Sequence, residues 1–297
     1  MAEAGRRTTS RRDLSRHDRF DDVSPEVGQL DEEAFDEFLD EDPDEALALL
    51  ADLTGATDER LRELARRLAG RIIVDVAKTG VARHRGTGRL VNQRSAHIDG
   101  DVDLDASLDA IVDARSQRRP PHAEELVVRA WARPDTALCL VVDRSGSMNG
   151  ARLAAAAVTA AAVAHRHGLD CSVIAFGDEA VVIKSQGEHR PTEDIVSDLL
   201  RLRGHGTTDV GLAVRTAGLQ LQRSQAGRRV TILLSDCRPT TGGSPVADAG
   251  HLDELAIIAP ADDTADAEAL AEAVGARWVG IDGPSSAPDA LALVLLG

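Results

Sequence analysis

Aromatic residues are scarce in this chain of 297 residues, where they make up 2% of the sequence and include no tyrosine. Hydrophobic residues nevertheless account for 43% of the chain, which is enough to bury a sizeable core. Without aromatic side chains to fill it, that core must be built mainly from Ala, Val, Leu and Ile.

Long apolar runs and an excess of basic charge are also missing. No stretch approaches the roughly 18 uncharged apolar residues of a membrane span, and the Ala-rich run 153–164 is too short and too weakly apolar. The chain has 34 Lys and Arg against 50 Asp and Glu, a formal net charge of −16. That balance disfavours non-specific binding to nucleic acids and favours a soluble protein. Because no apolar segment follows the N-terminal arginines, we expect no secretory signal and a cytoplasmic location.

Cysteine is rare as well. The three cysteines, Cys139, Cys171 and Cys237, show no metal-ligand spacing and lie in apolar surroundings. An odd count in such contexts predicts reduced, buried thiols, as in a cytosolic protein.

The first part of the chain has a charged, helical pattern. Residues 1–24 are rich in Arg, Ser and Asp, which predicts a disordered tail. Residues 25–120 are predicted to form a helical region, with two short helices broken near Pro43, an amphipathic helix over 58–78, a basic loop over 82–94 and a helix over 101–117. Residues 21–45 hold many acidic and no basic residues, which is typical of a solvated helix face or of a segment that docks a partner.

After residue 120 the pattern changes to apolar strands that alternate with helices. The predicted strands are 126–131, 136–143, 171–176, 180–184, 229–235, 255–259 and 277–281. The predicted helices are 151–167, 191–202, 209–223, 264–274 and 287–296. This alternation predicts an α/β domain over 126–297 with a doubly wound, mostly parallel sheet. The short turn between 171–176 and 180–184 predicts a hairpin, and so one antiparallel edge strand.

Polar residues follow the predicted strand 136–143 directly. The segment "LCLVVDRSGSMNG", residues 138–150, ends an apolar run in Asp143 and then places Ser145 and Ser147 around a glycine. In an open α/β sheet, ligands bind beyond the carboxyl ends of the strands. These side chains therefore stand where such a sheet binds its ligand.

Two further segments bring oxygen-bearing side chains to the same edge. The segment "RRVTILLSD" ends in Asp236, and "RGHGTTDVGLAV" places Thr207 and Thr208 on a glycine-flanked loop before a helix. Taken singly, each residue could instead cap a helix or end a strand. Their joint occurrence favours a site for a hard divalent cation, Mg²⁺ before Ca²⁺ or Mn²⁺, with one position left open for water or a partner's carboxylate.

This constellation resembles the metal-ion-dependent adhesion site of von Willebrand factor A domains. The resemblance covers roughly residues 134–297 and includes "VIAFGDEAVVIK", 173–184, which is similar to the second strand of that fold and its hairpin partner. It implies that the metal is bound directly by Ser145, Ser147 and Thr208 and through water by Asp143 and Asp236. Thr208 fits the family's G-T-D string better than Thr207, but the doubled threonine leaves that choice open. Cys237 departs from the family, whose members often have glycine after the aspartate.

Motifs of common enzyme classes are missing. The sequence has neither G-x-x-x-x-G-K-[ST] nor G-x-S-x-G, and Ser145 stands where a phosphatase that begins with a strand-end aspartate would have a second aspartate. We therefore expect a non-catalytic protein. The alternative from another class is a Mg²⁺-dependent hydrolase of a phosphate ester.

The whole layout is similar to bacterial CoxE-like proteins and to the C-terminal part of the magnesium chelatase D subunit. That resemblance implies an intracellular, Mg²⁺-dependent interaction module that acts as adaptor or co-factor subunit for a MoxR-type AAA+ ATPase. Its partner would be a protein client that supplies Asp or Glu to the metal, and the process would be client remodelling or maturation of a metal cofactor.

Overall fold

The computed structural model describes residues 8–79, 89–94, 101–117, 119–122, 125–132, 136–145, 150–167, 170–202 and 206–296. They form two compact units. The larger unit contains the described residues up to 79, from 136 to 225 and from 229 onwards, and the smaller unit contains those within 89–132 together with 226–228.

The strands and helices are numbered in chain order. The strands are β1 (Arg89–Arg94), β2 (Asp101–Val102), β3 (Val127–Ala132), β4 (Thr136–Asp143), β5 (Cys171–Phe176), β6 (Ala180–Lys184), β7 (Arg228–Leu234), β8 (Glu254–Pro260) and β9 (Arg277–Ile281). The helices are α1 (Arg11–Leu14), α2 (Phe20–Val23), α3 (Glu32–Glu41), α4 (Pro43–Leu53), α5 (Glu59–Thr79), α6 (Leu108–Ser116), α7 (Gly150–His167), α8 (Thr192–Arg201), α9 (Val210–Leu221), α10 (Pro245–Ala249), α11 (Ala265–Val274) and α12 (Ala287–Leu296).

The larger unit is built on a six-stranded sheet with the order β6-β5-β4-β7-β8-β9. Strands β4 and β5 are parallel, as are β7, β8 and β9, whereas β6 runs antiparallel to β5 at the edge. The predicted fold class, a doubly wound sheet with one antiparallel edge strand, is therefore confirmed. Strands β4 and β5 are continuous apolar runs because helices cover both faces of the sheet.

Alternate residues of β4 point to opposite faces of the sheet. Leu138, Leu140 and Val142 belong to the core cluster that also holds the buried side of α7. On that side, α4 and α5 pack against α7, and α5 also packs against α8. Helix α7 thus lies between the sheet and the N-terminal helices, and its many alanines allow this close packing. Most of its side chains from Leu153 to Ala164 are nearly inaccessible to solvent.

The N-terminal segment differs from the disordered tail expected for residues 1–24. In the described part of that segment, α1 and α2 bury Leu14, Phe20 and Val23. Their apolar side chains are few, but they join the same core as α4 and α5. The charged composition predicted disorder in this segment, but the burial of these three side chains stabilises α1 and α2.

The smaller unit contains a three-stranded sheet with the order β1-β3-β2, in which β3 runs antiparallel to both neighbours. Part of the predicted basic loop 82–94 is therefore strand β1, and the predicted helix 101–117 begins as strand β2 and becomes helical at α6. Residues 126–131 were expected in the large sheet, and as β3 they pair with β1 and β2. Alternation of apolar and polar residues does not tell one sheet from another.

All three cysteines are buried, and none of the three forms a disulfide, as predicted. Burial raises the pKa of the Cys139 thiol to about 12. No helix in the described ranges has both the length and the apolar character needed to cross a membrane.

Candidate metal centre

The strand order places the candidate site between β4 and β7. Beyond β4 the chain continues to β5 on one side, and beyond β7 it continues to β8 on the other. Ligands of doubly wound sheets bind at such a switch point, beyond the carboxyl ends of the strands. Asp143 is the last residue of β4, and Asp236 follows the end of β7.

Asp143 is buried and tightly held, with 3% of its surface exposed. Its Oδ1 atom accepts a hydrogen bond from the backbone NH of Ser145 at 2.7 Å, and its Oδ2 atom accepts one from the Ser235 hydroxyl at 2.8 Å. Burial raises the pKa of Asp143, and the charge of Asp236 raises it further, although the hydrogen bonds from Ser235 and Ser145 lower it. In the described part of the chain, no ion pair compensates this carboxylate.

Ser235 joins the ends of the two central strands. Its hydroxyl donates to Asp143 of β4 and accepts a hydrogen bond from the Cys237 backbone NH at 2.9 Å. The sequence reasoning missed this residue, although it directly precedes Asp236 in the strand-end segment. It fixes the orientation of the Asp143 carboxylate.

The turn after Ser235 has an unusual backbone. Cys237 has φ 61°, the positive-φ region that favours glycine. Glycine at this position would adopt the same backbone conformation without strain. Cys237 is 2% exposed, and its burial raises the pKa of the thiol, as do the charges of Asp236 and Asp143. The backbone NH of Arg238 then donates to Asp236 Oδ1 at 3.0 Å.

Thr208 lies on a loop fixed from two sides. Its backbone NH donates to the Thr240 hydroxyl at 2.7 Å, and its carbonyl accepts from the Thr240 NH at 3.0 Å. The next residue, Asp209, caps α9 and donates its NH to the Gly177 carbonyl at 2.9 Å. Thr208 is buried and Thr207 is exposed. Ser147, also predicted as a ligand, lies outside the described residues.

The donor set fits a hard cation. Asp143, Ser145, Thr208 and Asp236 offer only oxygen atoms, which Mg²⁺, Mn²⁺ and Ca²⁺ prefer. A buried carboxylate beside a second one, with no basic side chain paired to it, is stabilised by a divalent cation. Within the described residues no group of three or more His, Cys, Asp and Glu side chains is placed to hold a metal. A metal here would therefore depend on hydroxyls and water as well as on the two aspartates.

Basic side chains near the site are paired elsewhere. The Arg144 side chain lies 3.8 Å from the Asp178 carboxylate, and its backbone NH donates to the Phe176 carbonyl at 2.8 Å. Arg238 pairs with Asp263 at 2.9 Å and with Asp266 at 3.0 Å. Neither guanidinium forms an ion pair with Asp143 or Asp236.

The N-terminal helix α4 contacts two loops near the site. Asp52 accepts a hydrogen bond from the backbone NH of Gly150 at 3.1 Å, and Asp44 accepts one from the backbone NH of Ser285 at 2.8 Å. Asp44, which belongs to the acidic segment 21–45, is therefore not simply part of a solvated face. Nothing in the local sequence pattern signals contacts of such long range.

A cavity of about 320 Å³ opens beside Asp143 and Asp236. Its walls come from the first turns of α7 and from the chain just beyond β7, β8 and β9. Charged residues of its lining include Arg152, Asp262 and Asp282.

The structure thus places Asp143, Ser145, Ser235 and Asp236 at the switch point of a doubly wound α/β sheet. Residues 138–239 match the family model described as the von Willebrand factor type A domain. Over these residues the chain is similar to a von Willebrand factor type A domain, and the matched residues include Asp143, Ser145, Ser147, Thr208 and Asp236.

Solved structures that are similar to this chain include the following three. An aerotolerance-related membrane protein from Bacteroides fragilis is 16% identical over 54% of this chain and 98% of its own, with a TM-score of 0.44. A von Willebrand factor type A protein from Catenulispora acidiphila is 15% identical over 57% of this chain and 43% of its own, with a TM-score of 0.43. Proximal thread matrix protein 1 from the mussel byssus, with a zinc-occupied MIDAS motif, is 16% identical over 54% of this chain and 47% of its own, with a TM-score of 0.45. Similarity at this level assigns no function to the chain. No curated protein matches it.

Proposed function

We propose that this chain is a Mg²⁺-dependent protein-interaction module. A carboxylate of a protein partner would complete the coordination of its metal. The observation that carries the proposal is the buried Asp143 carboxylate, which Ser145 and Ser235 orient beside Asp236 and which pairs with no basic side chain among the described residues. Ser145, Ser147 and Thr208 would bind the metal directly, and Asp143 and Asp236 would bind it through water. Mn²⁺ and Ca²⁺ suit the same oxygen donors.

The open position explains why a partner is needed. The direct ligands would be neutral hydroxyls, and the two aspartates would bind only through water, so the cation keeps a directly accessible position for an external anion. An Asp or Glu side chain on a protein surface provides such an anion. The bound metal thereby makes association with the partner depend on the divalent cation.

The partner assignment rests on the sequence layout. A charged helical segment before a von Willebrand factor type A domain is similar to CoxE-like proteins, which work with MoxR-type AAA+ ATPases. We propose that this chain is an adaptor or co-factor subunit of such an ATPase in the cytoplasm. The ATPase would hydrolyse ATP, and this chain would engage the client through its metal, for client remodelling or for maturation of a metal cofactor.

The experiment is affinity purification of the full chain from native lysate, in Mg²⁺ and in chelator. Thr208→Ala should weaken at least one metal-dependent contact by about 2–5 kcal/mol, as expected for the loss of a buried charge-assisted interaction. Thr207→Ala is the matched control and should bind like the unmodified chain. An identical partner list with and without metal would contradict the proposal, and phosphate release by the pure chain would favour a hydrolase of phosphate esters.

A further inference from the structure

The cavity beside the candidate metal centre has rigid walls. One wall is the first turn of α7, where the Gly150 NH is held by Asp52. Another is the chain after β9, where the Ser285 NH is held by Asp44. A Cβ atom on Gly283 would lie 2.3 Å from the carboxyl carbon of Asp44, so any other residue at this position would displace the Asp44 carboxylate. Because α4 fixes both walls, the cavity is formed before any ligand arrives, which lowers the entropic cost of binding.

The charges around the cavity do not balance. Arg152 lies 3.6 Å from Asp262 and neutralises it. A divalent cation would balance Asp143 and Asp236. Asp282 is exposed, lines the cavity and makes no ion pair with any described residue. With the metal in place, the cavity therefore lacks one positive charge.

The inner surface of the cavity is apolar. Ala155, Leu234 and Ile281 line it, and all three are buried. A ligand that fits must combine an aliphatic stem with a terminal positive charge. Lysine and arginine side chains have this combination, because they bury their methylene groups and keep the charged end at a polar rim.

We propose that this cavity binds a lysine or arginine side chain of the partner, next to the acidic residue that completes the metal site. This inference rests on the proposed function for its partner, but the apolar walls of the cavity and the Asp282 carboxylate at its rim are present without the metal. The recognised surface would carry an acidic and a basic side chain side by side. Recognition would then require both charges, which a metal site alone does not.

The first experiment tests the cavity without metal. The full chain, with labelled Leu and Ile methyl groups, is titrated in chelator with Nα-acetyl-arginine amide, and with Nα-acetyl-citrulline amide as a neutral probe of similar shape. The arginine probe should shift the methyl signals of Leu234 and Ile281, and the citrulline probe should bind about fivefold more weakly. Equal binding of the two probes, or shifts elsewhere only, would overturn the inference.

Asp282→Asn should weaken arginine binding by about fivefold and leave citrulline binding unchanged. Asp253→Asn is the matched control, because Asp253 is an exposed aspartate just before β8, at the opposite end of that strand. If the Asp282→Asn variant still bound the arginine probe more tightly than the citrulline probe by the same factor, the inference would also be overturned.

The second experiment separates this inference from the proposed function. Peptides that carry one Asp and one Arg at varied spacing are compared in Mn²⁺ with peptides in which citrulline replaces Arg. Metal-dependent binding with no preference for Arg would contradict the cavity assignment and keep the metal proposal. A preference for Arg that persists in chelator, without any metal-dependent binding, would support the cavity and contradict the metal proposal.

Discussion

The Oδ1 atom of Asp52 accepts a hydrogen bond from the backbone NH of Gly150 at 3.1 Å, across a separation of 98 residues. Gly150 is the first residue of α7, and its φ of 45° requires glycine. The Asp52 carboxylate thus satisfies a backbone donor at the start of a helix, where such donors lack partners within the helix. It lies near the positive end of the helix dipole, which favours a negative charge.

Asp52→Ala should lower the free energy of unfolding by about 1–2 kcal/mol, because the Gly150 NH loses a charged acceptor in a partly buried place. Asp52→Asn keeps an oxygen acceptor and should lose less. Urea denaturation measures both, and Asp36→Ala, at an exposed position of α3, is the control. Equal losses in Asp52→Ala and Asp36→Ala would show that the contact does not stabilise the fold.

His17 should make the stability depend on pH. Its ring contacts Glu45 at 2.7 Å and Asp52 at 3.2 Å. The hydrogen bond with Asp52, and then that with Glu45, raises the pKa of His17 above its ordinary value of 6.5, against the effect of burial. The protonated ring therefore contributes stability below pH 6.5, and the contribution is lost as pH rises through the raised pKa.

His17→Gln tests this relationship. The stability difference between the unmodified chain and the variant should shrink as pH rises above the His17 pKa, which an NMR titration of the ring locates. A difference independent of pH would contradict the expected protonation.

Asp143→Asn should remove metal binding and preserve the fold. The amide keeps an oxygen for one of the two hydrogen bonds, and it removes a buried charge next to Asp236. Because burial raises the pKa of Asp143 above 3.8, the metal-free chain should lose stability as pH rises from 3.8 through that raised pKa. The variant should lack this loss.

Calorimetric titration with Mn²⁺ and acid unfolding in chelator measure the two effects of Asp143→Asn. Unchanged Mn²⁺ affinity would remove Asp143 from the metal site. An unchanged pH profile would show that its carboxyl titrates alike in the folded and unfolded chain.

Cys237 should tolerate glycine and resist β-branched residues. Cys237→Gly relieves the positive φ but loses a buried side chain and frees the unfolded chain, so stability should change by less than about 1 kcal/mol. Cys237→Val should cost about 2 kcal/mol or more, because β-branched residues are strained at positive φ. Cys139→Val, in the extended backbone of β4, is the control, and thermal unfolding compares them. Equal effects of valine at both positions would contradict the backbone argument.

The sequence predicted the strands of the large sheet well where the apolar runs are continuous. The bounds predicted for β4, β5, β6 and β9 agree with the structure. Strands β4 and β5 are buried on both faces, and a continuous apolar run marks the ends of such strands. Strand β1 was missed because "RLVNQR" has no apolar run. Helix α10 was missed because it is only one turn long.

Sequence reasoning reached the candidate site only in part. Asp143 and Asp236 could be placed, because the ends of parallel strands converge on one edge. Ser235 and Asp52 could not, since their roles depend on contacts between segments far apart in sequence. Choosing between Thr207 and Thr208 likewise needed tertiary structure, which buries one and exposes the other. That choice of ligand stays a prediction.

Helix α7 is enclosed by the sheet on one side and by α4 and α5 on the other, and its small side chains leave no space around it. Because the interior is closely packed, α7 cannot move along its axis unless the elements packed against it move as well. Its first residue lies near the metal centre, so any axial displacement of α7 would also move α4 and α5.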